Sequence, residues 1–231
     1  MSSSSRRTAL VTGGAGAIGS AIVAALRAHA HDVLVLDREG DVACDLADEQ
    51  AVRAAATAVL RRGGVDVLVH AAAAFDQAPL ESLDAATWRH VQAVNVESLL
   101  WLAQELTPGM RERGFGRIVL VTSDTVWSPP AAALLPYVAS KATLEGLARA
   151  LAHPLGADGI TINAVEPGLT RTPAAHAGMP AEAFEDVRRR QALPRTLIPE
   201  DVAGVIAFLA SDAAAAVTGQ AICADGGLVL R

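Results

Sequence analysis

Short apolar runs alternate with alanine-rich segments along the whole of this 231-residue chain, and this alternation restricts its possible folds more than any other feature. The runs are almost continuous in Ala, Val, Ile and Leu, which is typical of parallel strands that are buried on both faces. They span Thr8–Thr12, Val33–Leu36, Val65–His70, Ile118–Thr122, Ile160–Val165 and, near the end of the chain, Ala221–Ala224. We therefore predict an α/β, doubly wound fold with a single parallel sheet and helices on both faces.

The segments between the runs have the composition of helices. They are Ile18–Ala30, Glu49–Arg61, Ala85–Arg113, Tyr137–Leu155 and Pro199–Leu209. Asp48 precedes the second segment and can cap its first turn, while Gly114 and Gly116 follow the third and can end it. The sequence shows no repeat, linker or break in composition, so residues 1–231 are predicted to form one domain, with residues 1–7 as a flexible tail.

Charge and hydropathy argue against several classes of protein. The net charge of −6 is unfavourable for nucleic-acid binding, and the basic run Arg188–Arg190 is interpreted as a solvated helix face. No apolar run approaches the ~18 residues needed to cross a bilayer, so no membrane association is expected. Cys44 and Cys223 lie far apart without ligand-like neighbours, which favours buried, reduced thiols in the cytoplasm over a disulfide or a metal site.

A glycine-rich loop follows the first predicted strand and opens the first predicted helix. Gly13, Gly16 and Gly19 have a regular spacing, which permits a tight turn and a close approach of the backbone to a ligand. The helix N-terminus that follows offers amide groups and a positive dipole end to a pyrophosphate. Such a loop alone can be a flexible turn, but its place between a strand and a helix favours dinucleotide binding.

Asp37 and Arg38 bear on which dinucleotide is bound. The second strand ends at Asp37, 18 residues after Gly19, close to the ~20-residue offset at which an acid binds the ribose 2′-hydroxyl. A carboxylate there repels the 2′-phosphate of NADP, whereas Arg38 could bind that phosphate. No basic residue lies in the glycine loop. We therefore predict NAD as the cofactor, with NADP as the less favoured alternative.

The single tyrosine and the single lysine of the chain, Tyr137 and Lys141, lie four residues apart. On a helix this spacing places both side chains on one face. A nearby ammonium lowers the pKa of a phenol from about 10 to roughly 7–9, which suits proton transfer to or from an alcohol oxygen. The alternative is a surface tyrosine beside a solvated lysine, and the neighbouring motifs favour the catalytic interpretation.

Taken together, these motifs resemble those of the short-chain dehydrogenase/reductase family over almost the whole chain, from Thr12 to Gly227. The resemblance implies a Rossmann fold and a catalytic set of Ser123, Tyr137, Lys141 and Asn95. Ser123 precedes Tyr137 by 14 residues, which is one more than is usual in the family. Asp124 has the usual spacing, but the alignment of the preceding strand favours Ser123.

The resemblance also implies cofactor contacts in several segments. Asp45 and Leu46 resemble the pair that contacts adenine, and the stretch from Asn163 to Thr172 resembles the one that holds the nicotinamide carboxamide. The full set of implied cofactor residues is Gly13, Gly16, Ala17, Ile18, Gly19, Asp37, Arg38, Asp45, Leu46, Ala71, Ala72, Tyr137, Lys141, Pro167, Gly168, Thr170 and Thr172.

The chain departs from the family pattern at three places. Ala17 replaces a usual glycine and adds a methyl group near the pyrophosphate site. Residues 70–73 are His-Ala-Ala-Ala where Asn-Asn-Ala-Gly is usual; His70 is interpreted as a core histidine bonded to backbone, with a role in a proton path as the alternative. Glu166 replaces a usual small residue, and it is expected at an interface, at the substrate or in solvent.

The residues and the resemblance together predict an NAD-dependent alcohol dehydrogenase or ketone reductase. Tyr137 would act as general acid/base, and Lys141 would lower its pKa and bind the nicotinamide ribose. Ser123 would polarise the substrate oxygen, and Asn95 would position a water that links Lys141 to solvent. The predicted substrate pocket is mostly apolar and consists of Phe75, Thr125, Trp127, Leu134 and Leu169.

Substrate and assembly are predicted from the same features. A similarity to phenylethanol-type dehydrogenases favours a small hydrophobic secondary alcohol or its ketone. A 3-oxoacyl-thioester reductase that uses NADPH is the first alternative, and a module that senses NAD(H) without turnover is the second. Ala142, Gly146 and Ala150 repeat at four-residue spacing, so close helix packing in a cytoplasmic homotetramer is expected, with a dimer or a monomer core as alternatives.

Overall fold

The computed structural model describes residues 6–230, and a seven-stranded sheet forms the centre of their fold. Its strands are β1 (Thr8–Thr12), β2 (Asp32–Asp37), β3 (Val42–Ala43), β4 (Val67–His70), β5 (Gly116–Val121), β6 (Ile160–Pro167) and β7 (Ala221–Ala224). They lie in the order β3-β2-β1-β4-β5-β6-β7, and every neighbouring pair is parallel. The chain therefore winds outward in two directions from the β1–β4 pair, which confirms the predicted doubly wound Rossmann fold.

Helices cover both faces of this sheet. They are α1 (Ala17–Ala28), α2 (Glu49–Arg61), α3 (Ala85–Gln92), α4 (Ser98–Arg113), α5 (Leu135–Gly156), α6 (Pro173–Gly178), α7 (Ala181–Arg190) and α8 (Pro199–Leu209). Apolar side chains of α2, α4 and α5 pack on one face, and those of α1 and α8 pack on the other. Leu10 and Val11 of β1 belong to opposite cores, because successive side chains of a strand point to opposite faces. Across residues 6–230, none of the helices combines the length and the apolar character needed to span a membrane.

Most of the predicted boundaries lie within two residues of the observed ones, and the predicted capping residues explain two of them. The Asp48 carboxylate accepts hydrogen bonds from the Gln50 and Ala51 amides and so begins α2. Gly114, with a φ of 62°, ends α4 in the left-handed conformation that glycine tolerates. Gly116 has a different role from the predicted one, since it is the first residue of β5.

Three short elements and one interruption were outside the prediction. The predicted helix Ala85–Arg113 is divided by a π turn at Ala93–Glu97, where the Ser98 amide donates to the carbonyl of Ala93, five residues back. The strand β3 and the helices α6 and α7 were not predicted, because β3 has two residues, α6 has six residues and buries none, and α7 is mostly polar and buries only Phe184. The run Arg188–Arg190 lies in the last turn of α7, as the interpretation of a helix face requires.

Arg7, near the beginning of the described residues, is held by an aromatic contact. Residues 1–5 of the predicted flexible tail lie outside the described part of the chain. Arg7 stacks on the ring of Phe115 at 3.9 Å from its centroid, and Arg117 stacks on the same ring at 4.2 Å. Arg7 also donates to Asp212 over 2.8 Å. These contacts fix residue 7 against the body of the sheet.

Candidate active site

The predicted functional segments meet at one edge of the sheet. The glycine loop follows β1, Asp37 ends β2, Ala71 and Ala72 follow β4, and Ser123 follows β5. Because all of these strands are parallel, their carboxyl ends lie along the same edge. This edge is the place where a doubly wound sheet binds its ligands.

The glycine loop is a backbone cradle with little room for side chains. Gly13 has a φ of 69°, and a Cβ there would lie 2.6 Å from the Cα of Ala72. A Cβ on Gly19 would overlap the carbonyl oxygen of Gly13. Gly16 precedes α1 in an extended conformation, and a Cβ there would have one close neighbour, at 3.3 Å. The loop therefore requires glycine at Gly13 and Gly19 for its own folding, whereas Gly16 is open toward the ligand side.

The Asp37 carboxylate lies beside this loop. It accepts hydrogen bonds from the amide of Ala15 over 3.1 Å and from the amide of Arg38 over 2.7 Å. Arg38 itself is exposed. The negative charge thus lies next to the glycine loop, at the end of β2, as the sequence spacing predicted.

The other implied cofactor residues lie in loops and helix starts. Ala17 and Ile18 open α1, and Thr172 caps α6 by accepting from the Ala175 amide. The Asp45 carboxylate accepts from the Ala47 amide and shapes the turn before α2. The remaining residues of the implied set are largely buried where strands end, and they are Leu46, Ala72, Pro167, Gly168 and Thr170.

Ser123, Tyr137 and Lys141 come together from two elements. Ser123 follows β5, and Tyr137 and Lys141 lie in the first turns of α5 on one face. The Ser123 side chain lies beside the Tyr137 hydroxyl, where it favours the ionised form of the phenol. The Lys141 ammonium lies 5.4 Å from the centre of the Tyr137 ring and donates to the carbonyl of Val121 over 2.7 Å. A serine, a phenol and a buried amine therefore meet at the carboxyl end of β5.

The electrostatics of this group correct one prediction. Burial raises the pKa of Tyr137 to about 12, and the Ser123 side chain opposes that effect. Burial lowers the pKa of Lys141 to about 7, so its charged and neutral forms coexist near neutral pH. The predicted lowering of the Tyr137 pKa is therefore wrong for the protein without cofactor, because desolvation of the buried phenol outweighs the opposing effect of Ser123.

Asn95 lies in the π turn and is completely buried. Its amide donates to the carbonyl of Ala74 over 3.0 Å and to the hydroxyl of Ser140 over 2.9 Å, while its Oδ1 accepts from the Ala74 amide over 2.6 Å. Both amide hydrogens are thus committed within the protein. Asn95 therefore joins the loop after β4 to α5, and the water that we predict it to position stays a prediction.

Four buried acidic residues form a cluster close to the predicted substrate residues, and they are Asp124, Glu145, Glu166 and Asp225. Glu166 is fully buried, which corrects the expectation that it could be exposed. It accepts from the indole of Trp127 over 3.3 Å and from the thiol of Cys223 over 2.7 Å. Burial and the neighbouring Glu166 raise the pKa of Glu145 to about 6, and burial and Asp225 raise the pKa of Asp124 to about 6.

Some of the predicted substrate residues are exposed and can line a substrate pocket, whereas others belong to the protein interior. The Phe75 ring meets the Tyr137 ring edge-on with centroids 4.6 Å apart, and half of its surface is exposed. The Thr125 hydroxyl donates to the Ser123 oxygen over 2.9 Å. Trp127 is exposed, whereas Leu134 is 4% exposed and therefore belongs to the interior. Leu169, after β6, is half-buried.

Two residues of this network were missed by the sequence analysis. Ser140 accepts from Asn95 and donates to the carbonyl of Tyr137 over 2.7 Å. Thr12 accepts from the amides of Ala71 and Ala72 over 3.2 Å each. Their neighbours in sequence were a usable signal, since Ser140 lies between Tyr137 and Lys141 and Thr12 directly precedes Gly13.

Comparison with known proteins assigns the chain to a family. A family model described as enoyl-(acyl carrier protein) reductase matches residues 9–229. A "probable short-chain type dehydrogenase/reductase" of Bradyrhizobium diazoefficiens is 39% identical over 247 residues, which cover 96% of this chain and 87% of the relative. The chain belongs to the short-chain dehydrogenase/reductase family. It is thus an oxidoreductase of a family that binds NAD(P), as the resemblance implied.

Other members of the short-chain dehydrogenase/reductase family show the range of substrates. The cis-4-hydroxycyclohexanecarboxylate dehydrogenase of Sinomonas cyclohexanicum is 37% identical over 240 residues, with 96% of both chains covered. The crystal structure of a 3-oxoacyl (acyl-carrier-protein) reductase of Agrobacterium tumefaciens with NADP bound matches with a TM-score of 0.87 and 28% identity, over 96% of this chain and 93% of that one.

Proposed function

We propose that this protein transfers a hydride between NAD(H) and a hydrophobic secondary alcohol or its ketone. The meeting of Ser123, Tyr137 and Lys141 at the ligand-binding edge is the observation that carries the proposal. The exposed aromatic ring of Phe75, 4.6 Å from the Tyr137 ring, supplies an apolar wall for the substrate. A relative named for a hydroxycyclohexane substrate supports a secondary alcohol, because that hydroxyl is on a ring carbon.

Each residue of the set has a chemical task. Tyr137 Oη removes the hydroxyl proton during oxidation and returns it during reduction. The Ser123 hydroxyl donates to the substrate oxygen, where negative charge develops. Lys141 has two further hydrogens besides the one donated to Val121, and these can bind a ribose and stabilise the tyrosinate. The pKa of Tyr137, raised by burial, falls when Lys141 gains its proton, because a cation at this distance favours the phenolate.

The residues present fit a nicotinamide dinucleotide. Gly13, Gly16 and Gly19 form a narrow backbone cradle that would hold a pyrophosphate, and Asp37 beside it would accept from a ribose hydroxyl. The cofactor supplies the hydride chemistry, and the protein supplies binding and orientation. Asp37 favours NAD over NADP, because its carboxylate repels a 2′-phosphate.

The experiment that tests the function uses the purified protein with NAD or NADP and a panel of alcohols. The panel contains 1-phenylethanol, 2-butanol, cyclohexanol, galactose and xylose, and absorbance of the reduced cofactor at 340 nm is followed. We expect turnover of the hydrophobic alcohols with NAD. Turnover of the sugars alone would contradict the proposed substrate, and activity with none of the alcohols or their ketones would contradict the function.

Cofactor preference is expected to depend on Asp37. In Asp37→Ser the repulsion is removed and Arg38 is able to bind the 2′-phosphate, so the ratio of kcat/KM for NADP to that for NAD should rise by at least ~10-fold. Asp32→Ser is the matched control, because Asp32 is an exposed aspartate at the opposite end of the same strand. An unchanged ratio in Asp37→Ser, or a preference of the wild type for NADP, contradicts this assignment.

A 3-oxoacyl-thioester reductase with NADPH is the second candidate. It is favoured by a structural neighbour that is such a reductase with NADP bound. The matching family model shares the acyl-carrier-protein substrate in its description, although an enoyl reductase acts on a carbon–carbon double bond. Acetoacetyl-coenzyme A and NADPH, added to the same assay, distinguish the two candidates. Faster turnover of the thioester than of every simple ketone would replace our first proposal.

We also propose that the protein assembles as a homotetramer through α4 and α5. Ala142, Gly146 and Ala150 are exposed on one face of α5, so a second helix can approach that face closely. Light scattering across a dilution series should give about four times the chain mass of 23.8 kDa. A mass of one chain at micromolar concentration would contradict assembly, and a mass of two chains would restrict it to a dimer.

A further inference from the structure

His70 is a buried histidine that the proposed chemistry does not use. It ends β4 and is fully buried between β1 and the π turn. Its Nδ1 lies 3.0 Å from the hydroxyl of Thr12, and its Nε2 lies 3.0 Å from the backbone carbonyl oxygen of Asn95. Both ring nitrogens are therefore within hydrogen-bond distance of residues from two other elements.

The partners of His70 define its protonation state. A carbonyl oxygen can only accept, so Nε2 carries a hydrogen and donates to Asn95. The Thr12 oxygen already accepts from the amides of Ala71 and Ala72, so its own hydrogen is directed to Nδ1. Burial, and then the charge of Lys141, lowers the pKa of His70 to about 4. The ring is thus neutral near pH 7 and has one tautomer.

These bonds reach the π turn and, through it, the catalytic helix. Two backbone carbonyls of the turn accept hydrogen bonds from side chains. The carbonyl of Val94 accepts from the Ser98 hydroxyl over 2.8 Å, and the carbonyl of Asn95 accepts from His70 Nε2. The Asn95 amide donates to Ser140, and Ser140 donates to the carbonyl of Tyr137. Thr12, at the base of the glycine loop, is thus connected through His70, Asn95 and Ser140 to the backbone of Tyr137; within Asn95 the connection passes from the backbone carbonyl to the side-chain amide.

We propose that His70 is a positioning residue, which fixes the π turn against β1 and thereby holds Tyr137 in the geometry needed for turnover. Its ring nitrogens bond to the Thr12 hydroxyl and to the Asn95 backbone carbonyl, so it acts through these groups and not on the reacting atoms. The inference rests on the proposed function for its kinetic consequence. A misplacement of about 1 Å by a remote change can lower a rate by roughly 10²-fold, so a loss of this connection should be visible in kcat.

Three variants test the proposal. His70→Phe keeps an aromatic ring but removes both hydrogen bonds, whereas His70→Gln can still donate through one amide atom and accept through the other. His31→Phe is the matched control. His31 follows α1 and is a second buried histidine, 7% exposed, whose Nδ1 bonds to the backbone carbonyl of Leu26. We expect kcat to fall by about 10–100-fold in His70→Phe, with a much smaller change in the dissociation constant of NADH. We expect His70→Gln to recover most of the rate and His31→Phe to keep the wild-type rate.

A second readout does not require turnover. The chain has one tyrosine, so tyrosine labelled with ¹³C at Cζ gives one NMR signal, from Tyr137. We expect this signal and its titration midpoint to shift in His70→Phe and to remain near the wild-type values in His70→Gln and His31→Phe. An unchanged signal in His70→Phe would overturn the proposal, even if no alcohol in the panel is turned over. If His70→Phe fails to fold, Thr12→Val, which removes the hydroxyl bonded to Nδ1, takes its place: a shifted Tyr137 signal supports the proposal, and an unchanged signal overturns it.

Discussion

Replacement of Tyr137 by phenylalanine is expected to lower kcat by about 10²–10⁴-fold, the usual effect of losing a general acid/base. The phenyl ring keeps the edge-on contact with Phe75 and the packing of the first turn of α5, so the fold and NAD binding should persist. What is lost is the oxygen that carries the proton beside Ser123. The measurement is steady-state kcat together with an NADH dissociation constant from fluorescence.

Thr143→Val is the matched control for this variant. It also removes one hydroxyl from α5, but that hydroxyl is exposed and bonds only to the carbonyl of Ala139, one turn back. Its rate should equal that of the wild type. A Tyr137→Phe enzyme that keeps more than about a tenth of kcat would show that the tyrosine is not the proton-transfer group.

Gly19→Ala is expected to abolish NAD binding and to lower the free energy of unfolding by about 3 kcal/mol, the upper part of the usual range for overpacking. The added Cβ would overlap the carbonyl oxygen of Gly13 and approach the Cα of Gly14 at 2.8 Å. Backbone atoms cannot move aside as a flexible side chain can, so the loop itself must open. Chemical denaturation and NADH fluorescence measure the two effects.

Gly204→Ala serves as the control for Gly19→Ala. Gly204 lies on the exposed face of α8, and no atom lies within 4 Å of the position that its Cβ would occupy. Alanine in a helix is favoured over glycine by roughly 0.5–1 kcal/mol, so this variant should become more stable. Equal loss of stability in the two variants would show that the space at Gly19 is not the cause.

Local signals in the sequence were sufficient for most of the fold and for the composition of the site. Strands buried on both faces are recognisable because a run such as Ile160–Val165 has no polar face, and Asp48 marked the start of α2. The pairing of Tyr137 with Lys141 required only helix spacing, and the features named so far depend on neighbours in sequence or on topology alone. Ser123, by contrast, was predicted from the family resemblance.

The remaining features depend on packing between distant residues. No local pattern marks the π turn, because its carbonyls are satisfied by His70, 25 residues away, and by Ser98. The pKa of Tyr137 could not be predicted from the spacing of Lys141, since burial affects both groups and its extent is set by the whole fold. Glu166 is buried for the same reason, although a glutamate in a sequence usually indicates a surface position.

The π turn at Ala93–Glu97 also sets the rotational phase between α3 and α4. An α-helix turns by about 100° for each residue, and a π turn adds one residue to a single turn. On α4 the side chains of Leu99, Leu102 and Leu106 all face the core, while Val91 of α3 is buried as well. If the turn took regular α geometry with all of its residues kept, the two halves of the helix would be out of phase by up to about 100°, so one of the two apolar faces would point into solvent. The π geometry of this segment, and not only its composition, is therefore part of what the fold requires.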